Sequence, residues 1–426
     1  MINAARRRSL LVVSSLAIVV SNQALASGYE KATMWDAKYS ALAGAATSSV
    51  GNSSAIFFNP AGLAFADSND FSLHVSPTFS RIDSPANGSD TFTEGEDMFA
   101  MNGGFTGLYQ LNEKFTLGYG IYGAGGSMSE YGDITTGMGS FAQTGDLSTT
   151  IKIIEAGLAL AYRINKNWSV GGTYRLTYAM ADINMASATG PGDAVGVNVQ
   201  YEEMDDWNTF GVRLGAMFRS DNDRWGWGID YRSEVEAEAE GEAALDVGGQ
   251  NQYRGRDITA KTTLPFQIST GVDYQITDDV TLFGEVTYSN YSTNKSITFS
   301  SDDTNLPVNE VNQEWDDQYN YRVAVEYTGL EDWALRGGYI YTTSIVPEEY
   351  ASPTFSTPSF AHTITFGAGR SFMNGKVDLD LAGEYNIVEN DDVKGGAIVT
   401  DSGAVAPSGR YESKAYAVHM SLRYYY

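Results

Sequence analysis

The sequence predicts an all-β fold: a transmembrane antiparallel β-barrel of about 14 strands, with an N-terminal hatch plugging the lumen. Three observations carry that expectation. The chain opens on a secretory leader, and no later apolar run is long enough for a membrane helix. Segments of roughly ten residues with period-2 alternation then recur to the C-terminus, which ends on an aromatic residue.

The leader comes first. Arg6, Arg7 and Arg8 form a basic n-region, Leu10 to Val20 an apolar run, and Ala24-Leu25-Ala26 places small residues where a signal peptidase reads. The run is short for a bilayer span, so residues 1–26 are expected to be cleaved and the mature chain to begin near Ser27. Beyond it no stretch offers the ~18 continuous apolar residues of a membrane helix. A membrane location therefore requires strands closed into a barrel, which satisfies every backbone polar group internally.

Composition agrees. The chain has 45 glycines, 27 tyrosines, 7 tryptophans and no cysteine, and a mean hydropathy of -0.25. A barrel with a polar interior averages to such a value while sitting in lipid. The formal charge is -26; loss of the three leader arginines leaves 24 basic against 53 acidic residues, or -29. That excess argues against a nucleic-acid partner and belongs in the lumen and the extracellular loops, because charge on a lipid face is costly.

Residues 27–68 differ from the rest. Ala41 to Ala46 is small and apolar, Ser48 to Ser54 small and polar, and Ile56-Phe57-Phe58-Asn59-Pro60-Ala61-Gly62-Leu63 follows. Strand-length alternation is absent, and Pro60 and Gly62 break regular structure. The segment is too long for a simple tail and too apolar for disorder. It reads as a hatch folded into the lumen; a periplasmic domain or linker is the alternative. Phe57, Phe58 and Leu63 are candidates for the apolar lining of a ligand pocket, with plain packing on the barrel wall as the competing role.

Residues 69–426 form the expected barrel. Strands are read near 70–82, 97–110, 115–124, 150–164, 168–184, 207–219, 224–238, 260–275, 279–292, 317–328, 332–343, 361–372, 376–388 and 412–426. The last is the clearest. Tyr416, Val418, Met420, Leu422, Tyr424 and Tyr426 alternate with Ala417, His419, Ser421, Arg423 and Tyr425. Asn165-Lys166-Asn167, Asp221-Asn222-Asp223, Thr277-Asp278-Asp279 and Asn374-Gly375 read as short turns. The stretches 125–148, 186–204, 239–257, 294–316 and 344–360, rich in Gly, Ser, Asp and Pro, read as long loops. A soluble β-sandwich would not place aromatics at strand ends opposite ionised residues on strand after strand.

Opposite the apolar faces stand Arg163, Arg175, Arg213, Arg232, Arg322, Arg336 and Arg423, with Glu155, Asp230, Glu234 and Glu326 as expected inward partners. Bridging strands across the interior is the ordinary role of such pairs. One or two, with Arg232 and Arg336 as candidates, could bind a ligand carboxylate through charge-assisted hydrogen bonds. Nothing reads as catalytic, and no cofactor or metal is expected. The three histidines, His74, His362 and His419, are isolated, and neither a phosphate loop nor a Gly-x-Ser-x-Gly elbow occurs.

Four blocks in order carry a family resemblance. Asn59-Pro60-Ala61 is the first, and Tyr231-Arg232-Ser233-Glu234-Val235 the second. Leu264-Pro265 with Gly271-Val272-Asp273-Tyr274, Asp278-Asp279, Thr281-Leu282 and Tyr288 forms the third. Arg336-Gly337-Gly338 with Ile345-Val346-Pro347 and Pro358 is the fourth. Over the whole mature chain the sequence resembles the FadL family of outer-membrane transporters. The resemblance implies a fourteen-stranded barrel with an N-terminal hatch ending at Asn59-Pro60-Ala61, in the outer membrane of a Gram-negative bacterium. It implies passive transport of long-chain fatty acids, or of other hydrophobic compounds such as aromatic hydrocarbons or alkanes. It also implies capture among extracellular loops, an inner site, and lateral exit into lipid through a kinked strand. By position that strand is the third, where Gly118, Gly120, Gly123, Gly125 and Gly126 punctuate Phe115 to Ser127. A monomer in outer-membrane lipid is expected. An open porin and an outer-membrane hydrolase are the readings from other classes.

Overall fold

The computed structural model describes residues 28–29, 35–189, 194–303, 310–355, 357–400 and 403–426. The expected signal peptide and Ser27 lie outside the described residues. Strands β1 (Asp70–Asp83), β2 (Met98–Gln110), β3 (Phe115–Thr136), β4 (Gln143–Arg163), β5 (Trp168–Thr189) and β6 (Val195–Arg219) follow one another as antiparallel neighbours. Eight shorter segments come next: β7 (Trp225–Arg232), β8 (Val235–Val247), β9 (Gln250–Leu264), β10 (Gln267–Thr277), β11 (Val280–Ser289), β12 (Ser296–Ser300), β13 (Glu310–Asn312) and β14 (Gln318–Leu330). The circuit ends with β15 (Trp333–Thr342), β16 (Ala361–Phe372), β17 (Val377–Val393) and β18 (Gly409–Tyr425).

β18 pairs with β1, Asp70 opposite Tyr425 and Asp83 opposite Glu412, so the sheet closes on itself. β7 with β8, β9 with β10, β11 with β12 and β13 with β14 are each one stave in two pieces, so the 18 segments make a 14-stranded barrel. The breaks have local causes. Pro265, between β9 and β10, has no N–H to give the ladder. Ser233 and Glu234 interrupt β7–β8 and switch which alternate residues face inward.

Below the switch, Trp225, Ile229 and Tyr231 face outward while Asp230 and Arg232 are buried. Above it, Glu236, Glu238, Glu240 and Glu242 face outward while Val235, Ala237 and Ala243 are buried. Glu234, expected to face the lumen, is exposed for this reason. The stretches 125–148, 186–204 and 239–257, expected as loops, are mostly strand: β3 runs to Thr136, β6 begins at Val195, and β8 and β9 meet at a tight turn. They lack the expected alternation because their outer face meets water and their apolar side chains turn inward. Ile183, Val199, Tyr201, Met204, Leu245, Ile258 and Phe299 form a dry cluster there, with Tyr201 stacked on Phe299 at 4.4 Å.

The membrane-level outer face is the usual apolar one. Leu214, Val323, Ile364, Phe366 and Leu422 are exposed on it. Aromatic contacts flank it: Trp168–Phe218 and Phe218–Trp225 near the short turns, Phe79–Tyr416 and Tyr178–Trp207 near the other end.

Residues 35–66 lie inside the barrel. Helix α1 (Ala37–Ala41) is capped by Asp36, and α2 (Ala55–Phe58) leads into a 3-10 helix, Pro60–Phe65. Small residues let this inner segment approach the wall: a methyl group at Gly338 would fall 2.8 Å from Ala43 Cβ. Wall side chains then satisfy its backbone. Ser421 Oγ accepts from Ala37 N–H (2.8 Å), Thr365 donates to Ala41 O (3.0 Å), Thr173 to Ile56 O (3.1 Å) and Ser169 to Ala61 O (2.9 Å). These contacts come from opposite sides of the circumference, which fixes the segment across the lumen.

Candidate functional site

Two of the cavities among the described residues concern the site, an upper one whose lining does not include the inner segment and a lower one against it. The upper one, about 550 Å³, is walled by extracellular connections. Leu147, Trp315, Val346, Tyr350 and Phe355 line it, and among the described residues none of its lining side chains is charged. Tyr29 adjoins it, its ring 5.2 Å from that of Trp315 at a tilt of 51° and its hydroxyl hydrogen-bonded to Thr262 Oγ1 at 2.9 Å.

The lower cavity is about 60 Å³, room for a water or two. Gly44, Thr47, Phe57 and Phe58 of the inner segment form one side; Arg213, Arg232, Glu285 and Arg322 of the wall form the other. Strand alternation brings these charges together. Arg213 and Arg232 are opposite each other on β6 and β7, and Glu285 and Arg322 are opposite on β11 and β14. Buried charges must be paired, and these are. Arg213 Nη1 meets Asp230 at 2.8 Å, Arg322 Nη1 meets Glu285 at 3.4 Å and Thr287 at 2.6 Å, and Arg232 Nη2 lies 3.5 Å from Glu155. Glu155 is held more closely by Arg175. Four arginines thus face three carboxylates, an excess of one positive charge. Arg213 also covers the Phe57 ring at 4.7 Å, a cation–π contact.

Of the residues singled out from sequence, Phe57, Phe58 and Arg232 meet at this cavity. Leu63 does not; it packs on the wall, where a methyl at Gly118 would lie 2.7 Å from its side chain. Arg336 is elsewhere as well, bonded at 2.6 Å to both Glu326 and Asp380, so its fork is filled by the chain's own carboxylates. Asn59, Pro60 and Ala61 hold the segment in place. Asn59 Nδ2 donates to Thr47 O (2.8 Å) and Ala216 O (3.2 Å), and its Oδ1 accepts from Ala61 N–H (3.1 Å), capping the 3-10 helix. Gly171 and Gly215, opposite each other on β5 and β6, leave the room: a methyl at Gly215 would strike Asn59 Oδ1.

The glycines of β3 sit at a parting of strands. β2 and β3 pair only up to Gly104 opposite Tyr122, whereas β3 continues along β4 with a register shift between Gly123 and Gly125. Gly120 lies below the parting, close to the Phe105 carbonyl. Gly123 makes space for the Asn102 amide. Gly125 and Gly126 receive the Tyr29 carbonyl, to which Gly126 N–H donates at 2.8 Å; Gly126 has φ +148°. Tyr122, the last residue of β3 paired with β2, touches Phe57 (5.5 Å) and Trp35 (5.1 Å). Aromatic rings therefore run from the lower cavity to the parted strands.

At the periplasmic end Arg423 anchors the inner segment to Asp36 at 2.9 Å. Burial alone would raise the Asp36 carboxyl, but Arg423, with His74 and the Ser54 hydroxyl, holds it down at about 2. Sequence reading missed Glu285, although alternation with Leu282 and Val286 turns it inward. Among the described residues no group of three or more acidic or histidine side chains is placed to hold a metal ion.

Comparison with known proteins agrees with this architecture. The family described as "Outer membrane protein transport protein (OMPP1/FadL/TodX)" matches residues 17–426. A long-chain fatty acid transport protein of Escherichia coli (strain K12) is 24% identical over 439 residues, covering 87% of this chain and 93% of that protein. A FadL homologue from Pseudomonas aeruginosa superposes with a TM-score of 0.80 at 17% identity, covering 93% of this chain and 99% of the other. The Pseudomonas putida toluene transporter TodX gives 0.73 at 16% identity, over 93% and 99%.

Proposed function

The chain belongs to the outer membrane transport protein family OMPP1/FadL/TodX, and on that premise we propose that it carries long-chain fatty acids passively through a hatch-plugged barrel with lateral exit. The coarser function follows from membership: it is an outer-membrane β-barrel of Gram-negative bacteria that transports hydrophobic compounds.

The single observation behind the fatty-acid reading is the excess positive charge at the lower cavity. A wholly apolar pocket would suit a hydrocarbon. A pocket with Phe57 and Phe58 on one side and Arg213, Arg232 and Arg322 on the other suits an apolar tail ending in a carboxylate. In this reading the ligand is first taken by the uncharged upper cavity, large enough for a chain of that size. It then reaches the lower cavity as residues 35–66, the hatch, yield, since the space there is too small otherwise. In this reading it leaves along Phe57 and Tyr122 between β2 and β3, where strand pairing stops and the Tyr29 carbonyl, seated at Gly125 and Gly126, has to move aside. The greasy tail never crosses bulk water.

Uptake of an uncharged hydrocarbon is the second reading, favoured by the uncharged upper cavity and by the likeness to a toluene transporter. Cells lacking their own fatty-acid transporter decide between them when they express this chain. Labelled oleate is expected to accumulate well above the empty-vector level. Accumulation of toluene with none of oleate would establish the second reading instead.

A further inference from the structure

Glu285 touches both the ligand cavity and the hatch. Its Oε1 meets Arg322 Nη1 at 3.4 Å, and its Oε2 accepts the Thr47 N–H at 2.9 Å. The wall is shaped for this reach. Gly271 stands opposite Glu285 on β10, and a methyl there would already lie 3.3 Å from Oε2. Thr47 is the point where the hatch is gripped from two sides, because its carbonyl accepts from Asn59 Nδ2 at 2.8 Å. Asn59 directly follows Phe57 and Phe58, which close the cavity.

We propose that Glu285, by pairing with Arg322, is a built-in stand-in for the ligand carboxylate and couples ligand binding to release of the hatch at Thr47. The inference rests on the fatty-acid reading and adds to it a residue that senses the headgroup. An incoming carboxylate that takes Arg322 brings a second negative charge beside Glu285. Two carboxylates cannot share one guanidinium in a buried site without repulsion, so Glu285 is displaced and its hold on Thr47 loosens. The cavity then widens on the side formed by Gly44, Thr47, Phe57 and Phe58. A ligand with the same tail and no charge gains no such response. Glu285 is thus a positioning residue that acts through Thr47.

The test compares oleate with methyl oleate in binding to purified protein and in uptake by expressing cells. Glu285→Gln keeps an acceptor for Thr47 but neither competes for Arg322 nor repels a ligand. It should bind oleate about tenfold more tightly, leave methyl oleate binding unchanged, and cut oleate uptake to the methyl ester level. Glu285→Asp, one methylene shorter, keeps the charge at Arg322 and gives up Thr47. It should still prefer oleate to methyl oleate in binding, without the tightening expected of Glu285→Gln, and raise methyl oleate uptake to the oleate level; this variant serves alone if Glu285→Gln does not assemble. Binding and uptake that move in parallel for both ligands, or no change in either variant, overturn the role of Glu285 while wild-type preference for oleate stands. A wild-type protein that binds both ligands equally removes the fatty-acid reading, and this inference with it.

Discussion

The membrane-spanning part of the barrel and its extension above the membrane are built from the same staves turned inside out. Within the membrane, apolar side chains such as Leu214 and Ile229 face lipid, while Glu155, Arg175, Arg213 and Arg232 are buried in the lumen. In the extension, Glu236, Glu238 and Glu240 face water, while Tyr201, Leu245 and Phe299 are buried within. The surrounding solvent sets the pattern, and the break at Ser233–Glu234 performs the exchange in one stave. Each part has a consequence for transport. The extension can wall a cavity lined by uncharged described residues, whereas the membrane part has an interior of ion pairs, which the proposed fatty-acid reading takes as the partners of a ligand carboxylate.

The sharpest way to break this contrast is to remove a charge from the lower interior. Glu155→Ala takes away the carboxylate shared by Arg175 and Arg232. Leaving buried guanidinium groups uncompensated costs about 3–5 kcal/mol, which reversible urea unfolding in lipid vesicles would measure; a loss under about 1 kcal/mol would refute the paired interior. In the upper interior, Phe299→Ala empties the stack on Tyr201 and should cost about 3 kcal/mol. That loss should be local. Limited proteolysis is expected to cut β8–β9 while the membrane part stays folded, and cleavage throughout would mean that the two parts unfold as one.

The outer surface gives a smaller but paired effect. Leu214→Arg on the lipid face should destabilise the barrel by about 2–4 kcal/mol. Glu240→Arg on the wet face should leave stability unchanged, and equal losses at both sites would place both in one environment. The smallest effect is at the anchor of the inner segment. Because Asp36 sits at about 2, below its ordinary 3.8, its contribution is complete above that ordinary value and fades as the pH falls toward 2. Quenching of the buried Trp35 is expected to stay flat from pH 7 to about 4 and to rise only near 2. Exposure already at pH 5 would contradict the Arg423 anchor.

The contrast also explains what was legible in sequence. Lipid imposes alternation, so all fourteen staves could be located, Tyr416 to Tyr426 most clearly. Strand outside the membrane carries no such mark: Glu240 and Glu242 stand among small residues and resemble a loop. Glu234 was misplaced because a two-residue break reverses facing without altering composition. The Arg-rich interior was legible residue by residue, but which arginine meets which acid is set by register between staves distant in sequence. Arg232 and Arg336 look alike in the chain; only cross-strand pairing puts one at the cavity and fills the other with Glu326 and Asp380. Glu285 carried a signal, its alternation with Leu282 and Val286, but its link to Thr47 depends on how the hatch folds.

The most direct test of the account is the affinity of the purified wild-type protein for oleate against methyl oleate, identical in tail and differing in charge. A charge-assisted partner at Arg213, Arg232 or Arg322 predicts oleate binding tighter by about tenfold or more. Equal affinity for the two would contradict the charged lower site and leave an apolar conduit for uncharged compounds.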